Sequence, residues 1–197
     1  MMVTQSTSRL LMLTGQLGAG KTTFCRSLAS HTRLQGWDVA GLLSPAIFDG
    51  KIKTGILVED IRTGEMHSLA SSSPCPSFDL PIGDWHFARS SMAWCNKILE
   101  NSMPCDLLII DELGPLELAY HTGWLAALKI LRGNEYKVAL VVIRPMLQDL
   151  ASRLFNFSET LNINHTKTIN HWVRLYWPKI KAAFSPEIQL LNASKNG

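Results

Sequence analysis

The eight residues Gly15-Gln16-Leu17-Gly18-Ala19-Gly20-Lys21-Thr22 fit the pattern G-x-x-x-x-G-K-[ST], and they lie between a short apolar run and a stretch with helical signals. No other feature narrows the possible folds as much. The apolar run, Leu10 to Thr14, suits a strand buried on both faces of a parallel sheet. A helix is expected from Lys21 to about Gln35, ended by Gly36. A loop that turns from such a strand into such a helix aims several backbone N–H groups at one point. Glycines let it do so without Cβ clashes, and the helix N-terminus adds partial positive charge. The ligand this suits is the phosphate chain of a nucleoside triphosphate. Lys21 is expected on the β- and γ-phosphates, Thr23 on the α-phosphate and the Thr22 hydroxyl on magnesium, with Gly15 to Gly20 supplying the cradle.

A second apolar strand, Asp106 to Ile110, ends in Asp111-Glu112. In a fold with such a loop, Asp111 is expected to face the metal, and Glu112 to orient and deprotonate an attacking water. Glu117 is expected only to charge the first turn of a helix favourably. A third strand, Lys137 to Ile143, delivers Arg144 to the same carboxyl edge, where an arginine stabilises γ-phosphate charge or forms a structural ion pair. Lys53, Arg62, Arg89 and Arg153 are alternative cations, each with ordinary surface charge as the simpler reading.

Between these motifs the pattern alternates strand and helix, which implies right-handed βαβ crossovers and an α/β fold with helices on both faces of a mainly parallel sheet. Val39 to Ser44 is a further strand. Asp49-Gly50 and Thr63-Gly64 then mark hairpin turns, so an antiparallel insertion is expected at about residues 45–70. Ser71 to Ile82 reads as a loop, long enough to move over a binding site. Helices follow at Ala88 to Glu100, around Trp124 to Leu131 with Gly133 closing, and through Leu147, Leu150 and Leu154. The run Thr160 to Asn164 reads as an edge strand, and Pro178 is expected to interrupt or restart a last helix marked by Trp172, Tyr176 and Ile180. With 197 residues the expectation is one domain over 1–197, with loose termini at about 1–8 and 185–197.

Composition restricts function by what it makes unnecessary. A net charge of +3 with scattered Lys and Arg does not indicate nucleic acid. No run approaches the roughly 18 apolar residues of a membrane span, and Met1 to Arg9 lacks the blocks of a signal peptide. The four cysteines form no C-x-x-C pair and have no histidine at zinc spacing. A cytoplasmic protein with reduced thiols is the expectation, its protein partners unspecified.

With these motifs in place, the chain resembles the P-loop nucleoside-triphosphatase family first recognised in thermophiles, small RecA-like NTPases. The resemblance runs from about Leu10 to Asn170. It is strongest in GQLGAGKTT at Gly15 to Thr23, AGLLSPAIFDGKIKTGILVEDIRTGE at Ala40 to Glu65, IIDELGPLEL at Ile109 to Leu118 and VVIRP at Val141 to Pro145. It implies a three-layer P-loop NTPase fold with an antiparallel hairpin insertion, and magnesium-dependent hydrolysis of several nucleoside triphosphates with little base preference. The rivals are a small-molecule or nucleotide kinase on the same fold, and a slow nucleotide-binding regulatory or assembly module. Against the kinase, the loop Ser71 to Ile82 holds no lysine or arginine.

Overall fold

The computed structural model describes residues 8–182 and Phe184. The expected loose termini fall outside the described residues, except Ser8. All the strands join one ten-stranded sheet in the order β10-β1-β9-β8-β2-β4-β5-β7-β6, with β3 paired to β4. The strands are β1 (Arg9–Thr14), β2 (Val39–Leu43), β3 (Ala46–Asp49), β4 (Ile52–Asp60), β5 (Met66–Ser71), β6 (Leu80–Ile82), β7 (Trp85–Phe87), β8 (Cys105–Leu113), β9 (Tyr136–Ile143) and β10 (Glu159–Asn162). The helices are α1 (Lys21–Leu34), α2 (Arg89–Glu100), α3 (Pro115–Leu118), α4 (Leu125–Gly133), α5 (Gln148–Leu154) and α6 (Ile169–Lys181).

Strands β10, β1, β9, β8 and β2 are mutually parallel; the side chains of the last four are buried on both faces, while β10 at the margin buries only Leu161. Because consecutive side chains alternate between faces, each apolar run divides between two cores. Leu108, Ile110, Ala139 and Val141 meet α2, α3, α4 and α5, whereas Leu107, Ile109, Leu140 and Val142 meet α1 and α6. Each fully buried Leu or Ile contributes about 1.5–3 kcal/mol relative to exposure. The outcome is three layers, helices on either side of the sheet.

Beyond β2 the sheet turns antiparallel. Glu59 and Asp60 of β4 pair with Leu43 and Leu42 of β2, so β4 runs down into the sheet from beyond its carboxyl edge. The expected insertion is therefore β3-β4-β5, and it continues further than its turn signals indicated. Part of the segment read as a loop, Leu80–Ile82, is a strand that pairs with β7, which pairs with β5. Pro81 hid this strand from a propensity reading, and an edge position is where a strand tolerates a residue without an N–H.

Two further expectations are corrected. Gly133 is the last residue of α4, and Asn134, with φ of 56°, takes the left-handed cap conformation that asparagine tolerates. Pro178 neither interrupts nor restarts α6, which runs unbroken through it. Proline forfeits one helical hydrogen bond there, while Trp172, Val173, Tyr176 and Ile180 bury a continuous face on either side of it.

Candidate active site at the phosphate loop

The phosphate loop leaves the end of β1 and enters α1 through Gly20, whose φ of 90° is open to glycine at little cost. Gly15 is confined by its neighbour: a Cβ there would lie 2.3 Å from the Ile163 carbonyl oxygen, just past β10. The loop is thus clamped against the strand flanking β1. Inside it the Lys21 ammonium donates to the carbonyl oxygens of Gly15 at 2.8 Å and Gln16 at 3.0 Å, which turns the lysine over its own loop. Gln16, Leu17, Gly18 and Thr23 are exposed, and Ala19 packs inward.

Strand β8 lies one strand away from β1, separated by β9. Its end carries Asp111, 3% exposed, which is hydrogen-bonded to the Thr22 hydroxyl. Asp111 also accepts from the Ser44 backbone N–H at 3.3 Å, and the Ser44 hydroxyl donates to the Asp111 carbonyl. Burial pushes the Asp111 carboxyl up from 3.8 to about 6. Nearby Glu112 reinforces the shift, and the Thr22 and Ser44 hydrogen bonds and Lys21 oppose it. Ser44 was not legible in advance, because only the parallel pairing of β2 with β8 sets it there.

Glu112 forms an ion pair with Arg144, Nε to Oε1 2.5 Å. The two motif residues thus meet, and the ion pair named above as one reading of Arg144 is present. Glu117 lies in the first turn of α3, as expected, and does more there. It is buried, accepting from the backbone N–H of Gly114 at 3.0 Å and of Trp124 at 2.9 Å, and so ties the turn after β8 to the start of α4. Burial raises its pKa, while those two hydrogen bonds oppose the shift.

Among the alternative cations, Arg62 pairs with Asp38 and Arg89 with Asp79. Arg153 is exposed. Lys53 is different: it is half-buried, its ammonium stands 5.0 Å from the centre of the Trp85 ring, and it feels Glu112, Arg144 and Asp111. Burial lowers its pKa, Arg144 adds to that, and the two carboxylates oppose it. Cys25, buried behind the loop, has a thiol raised well above its ordinary value, which makes it inert packing.

A glycine loop on the edge of a parallel three-layer sheet, with a lysine inside it and an aspartate against the following threonine, defines a P-loop nucleotide-binding protein. Comparison with known proteins narrows the class. A family model described as NTPase matches residues 10–168. The nucleoside-triphosphatase THEP1 of Ignicoccus hospitalis is 30% identical over 130 residues, covering 66% of this chain and 73% of that protein. The THEP1 of Methanosarcina barkeri is 26% identical over 159 residues, covering 78% and 87%. Among solved structures, that of a human cancer-related nucleoside triphosphatase superposes with a TM-score of 0.61 at 19% identity, covering 85% of this chain and 95% of that one. THEP1 from the hyperthermophile Aquifex aeolicus gives 0.54 at 16% identity, covering 84% and 98%. The chain belongs to this NTPase family, and it is a nucleoside-triphosphatase, a hydrolase acting on phosphoric anhydrides. No described helix is long and apolar enough to cross a membrane.

Proposed function

We propose that the protein cleaves the γ-phosphate of ATP, GTP and other nucleoside triphosphates with magnesium, and that Glu112 is the general base. The observation that carries this reading is the meeting of Thr22, Lys21 and Asp111 at one point of the loop, with Glu112 as the next residue of the strand. Magnesium fits the donors: a hydroxyl and a carboxylate are hard oxygen ligands, and the buried Asp111 carboxylate lacks a full countercharge. When bound, that ion offsets phosphate charge and polarises the γ-phosphoryl group.

Within the chain, the backbone N–H groups of Gly15 to Thr22 hold the phosphates, and Thr23 holds the α-phosphate. Lys21 exchanges the Gly15 and Gln16 carbonyls for β- and γ-phosphate oxygens. Arg144, held by Glu112, meets a stronger anion in the γ-phosphate; on turning to it, Arg144 frees the carboxylate to take a proton from water. The four free cysteines accord with a reducing cytoplasm.

A second reading, phosphoryl transfer to an acceptor, is favoured by a cleft of about 540 Å³ lined by Leu80, Ile82, Met92, Leu116 and Tyr120. One experiment tests both. Phosphate release is measured with ATP, GTP, CTP and UTP, with and without chelator, for the parent and for Glu112→Gln. Hydrolysis without acceptor, lost in chelator and reduced about a hundredfold or more in the variant at unchanged nucleotide affinity, is expected. A variant rate within a few-fold of the parent removes Glu112 from the role of base.

A further inference from the structure

A transition state that spreads negative charge over the γ-phosphoryl oxygens is stabilised by every cation fixed beside it. The loop supplies Lys21. Arg144 has a carboxylate to leave before it can serve. The insertion brings a third cation to the same side of the sheet. Because Glu59 is level with Leu43 at the carboxyl end of β2, the part of β4 that precedes it extends past the carboxyl edge near which Asp111 and Glu112 lie on β8. Lys53 stands near the start of β4, within electrostatic reach of Glu112, Asp111 and Arg144. Among the described residues it forms no ion pair within 4.0 Å.

The place of its ammonium is set from the neighbouring hairpin. Thr54 accepts a backbone hydrogen bond from Ser72, just past β5, while Ser71 pairs with His86 on β7. The next residue along, Trp85, therefore comes level with Thr54 across the end of β5, one residue from Lys53, and the Lys53 ammonium lies 5.0 Å from the centre of its ring. A half-buried ammonium resting on an aromatic face keeps its charge while losing part of its water. It also keeps its hydrogen-bond donors free, unlike an ammonium engaged by a carboxylate.

We propose that Lys53 is a second catalytic cation that contacts the γ-phosphoryl oxygens during transfer, and that Trp85 is the positioning residue that holds it there. This rests on the reading of the site as one for γ-phosphate cleavage. Lys53 transfers no proton and forms no bond; it contributes charge alone. The β6-β7 hairpin, whose first strand was read as part of a loop, thereby becomes part of the active site's support.

The test measures two quantities in the full chain: single-turnover hydrolysis of magnesium ATP, and the affinity for magnesium ADP with and without tetrafluoroaluminate, which mimics the phosphoryl group in transfer. Lys53→Met keeps an unbranched stem against the ring and removes the charge. It is expected to slow hydrolysis about 10- to 100-fold and to weaken the tetrafluoroaluminate complex by a similar factor, with ADP affinity within twofold of the parent. Lys53→Arg retains most of both. Trp85→Ala gives a smaller loss of the same kind, which Trp85→Phe restores, whereas a merely structural role for Trp85 weakens ADP and its tetrafluoroaluminate complex alike.

Hydrolysis and mimic affinity of Lys53→Met both within twofold of the parent overturn the proposal, as does equal weakening of ADP with and without the mimic. If Glu112→Gln collapses hydrolysis while Lys53→Met does not, the hydrolase reading stands and the role of Lys53 alone falls. If the parent releases phosphate only with an acceptor, the hydrolase reading falls, and the mimic affinity still decides Lys53.

Discussion

Replacing Asp111 by asparagine exposes the conflict between holding a cation and holding a fold. The Asp111 carboxyl is 3% exposed, and its pKa rises from 3.8 to about 6, chiefly through burial. A carboxyl displaced upward by about two pH units makes the ionised folded state costlier by about 3 kcal/mol. The folded protein binds more protons than the unfolded chain between about pH 4 and 6. Stability therefore falls as pH rises through that window and is level above it. Asparagine keeps the volume and an oxygen for the Ser44 N–H, and it removes the charge. In chelator and without nucleotide, Asp111→Asn is expected to be more stable than the parent by about 2–3 kcal/mol at pH 7.5, with the difference vanishing near pH 4. Urea denaturation of both proteins across pH 4 to 8 measures it, and magnesium-dependent hydrolysis by the same variant should be lost. A variant no more stable than the parent at pH 7.5, or a difference that ignores pH, refutes the reasoning.

Three shorter expectations follow from the same site. Lys21→Ala should weaken triphosphate binding more than diphosphate binding, since the ammonium serves the β- and γ-phosphates; equal losses in paired titrations would count against that placement. Glu117→Ala leaves the N–H groups of Gly114 and Trp124 without their acceptor and should cost about 2–4 kcal/mol in denaturant unfolding, where a change under about 0.5 kcal/mol would show that water replaces the carboxylate. Magnesium affinity should decline as pH drops below about 6, because Asp111 then takes up a proton and loses the charge that attracts a cation; an affinity unchanged down to pH 5 contradicts this.

The phosphate loop and the Asp111-Glu112 pair were readable in the sequence for one reason. Each is a contiguous run whose geometry follows from the strand that precedes it, so spacing alone encodes the chemistry. Four of the five parallel strands were readable because burial on both faces forces continuous apolar runs such as Val138 to Ile143, and β10 was readable as an edge strand. Ser44, Glu117, Lys53 and Trp85 were not readable in their present roles. Ser44 reaches Asp111, 67 residues on, only through the β2-β8 pairing. Lys53 and Trp85 meet across a strand that neither belongs to. Glu117 has the charge of a surface residue, and only the turn that buries it reveals two backbone donors in need of an acceptor. The β6 strand was missed because Pro81 argues against a strand wherever the residue's place in the sheet is unknown.

That proline has a bearing on how copies of the chain meet one another. Strand β6 ends the sheet order on its side, and Pro81 sits at its middle, exposed and paired inward to His86. An intruding strand seeking to extend the sheet there would find no N–H at the central position of a three-residue edge, too little for a stable ladder. The opposite margin, β10, is only four residues long, with Glu159 at its start occupied by Arg9 and Lys179. Both ends of this strand order are thus poor templates for edge-to-edge growth of the sheet.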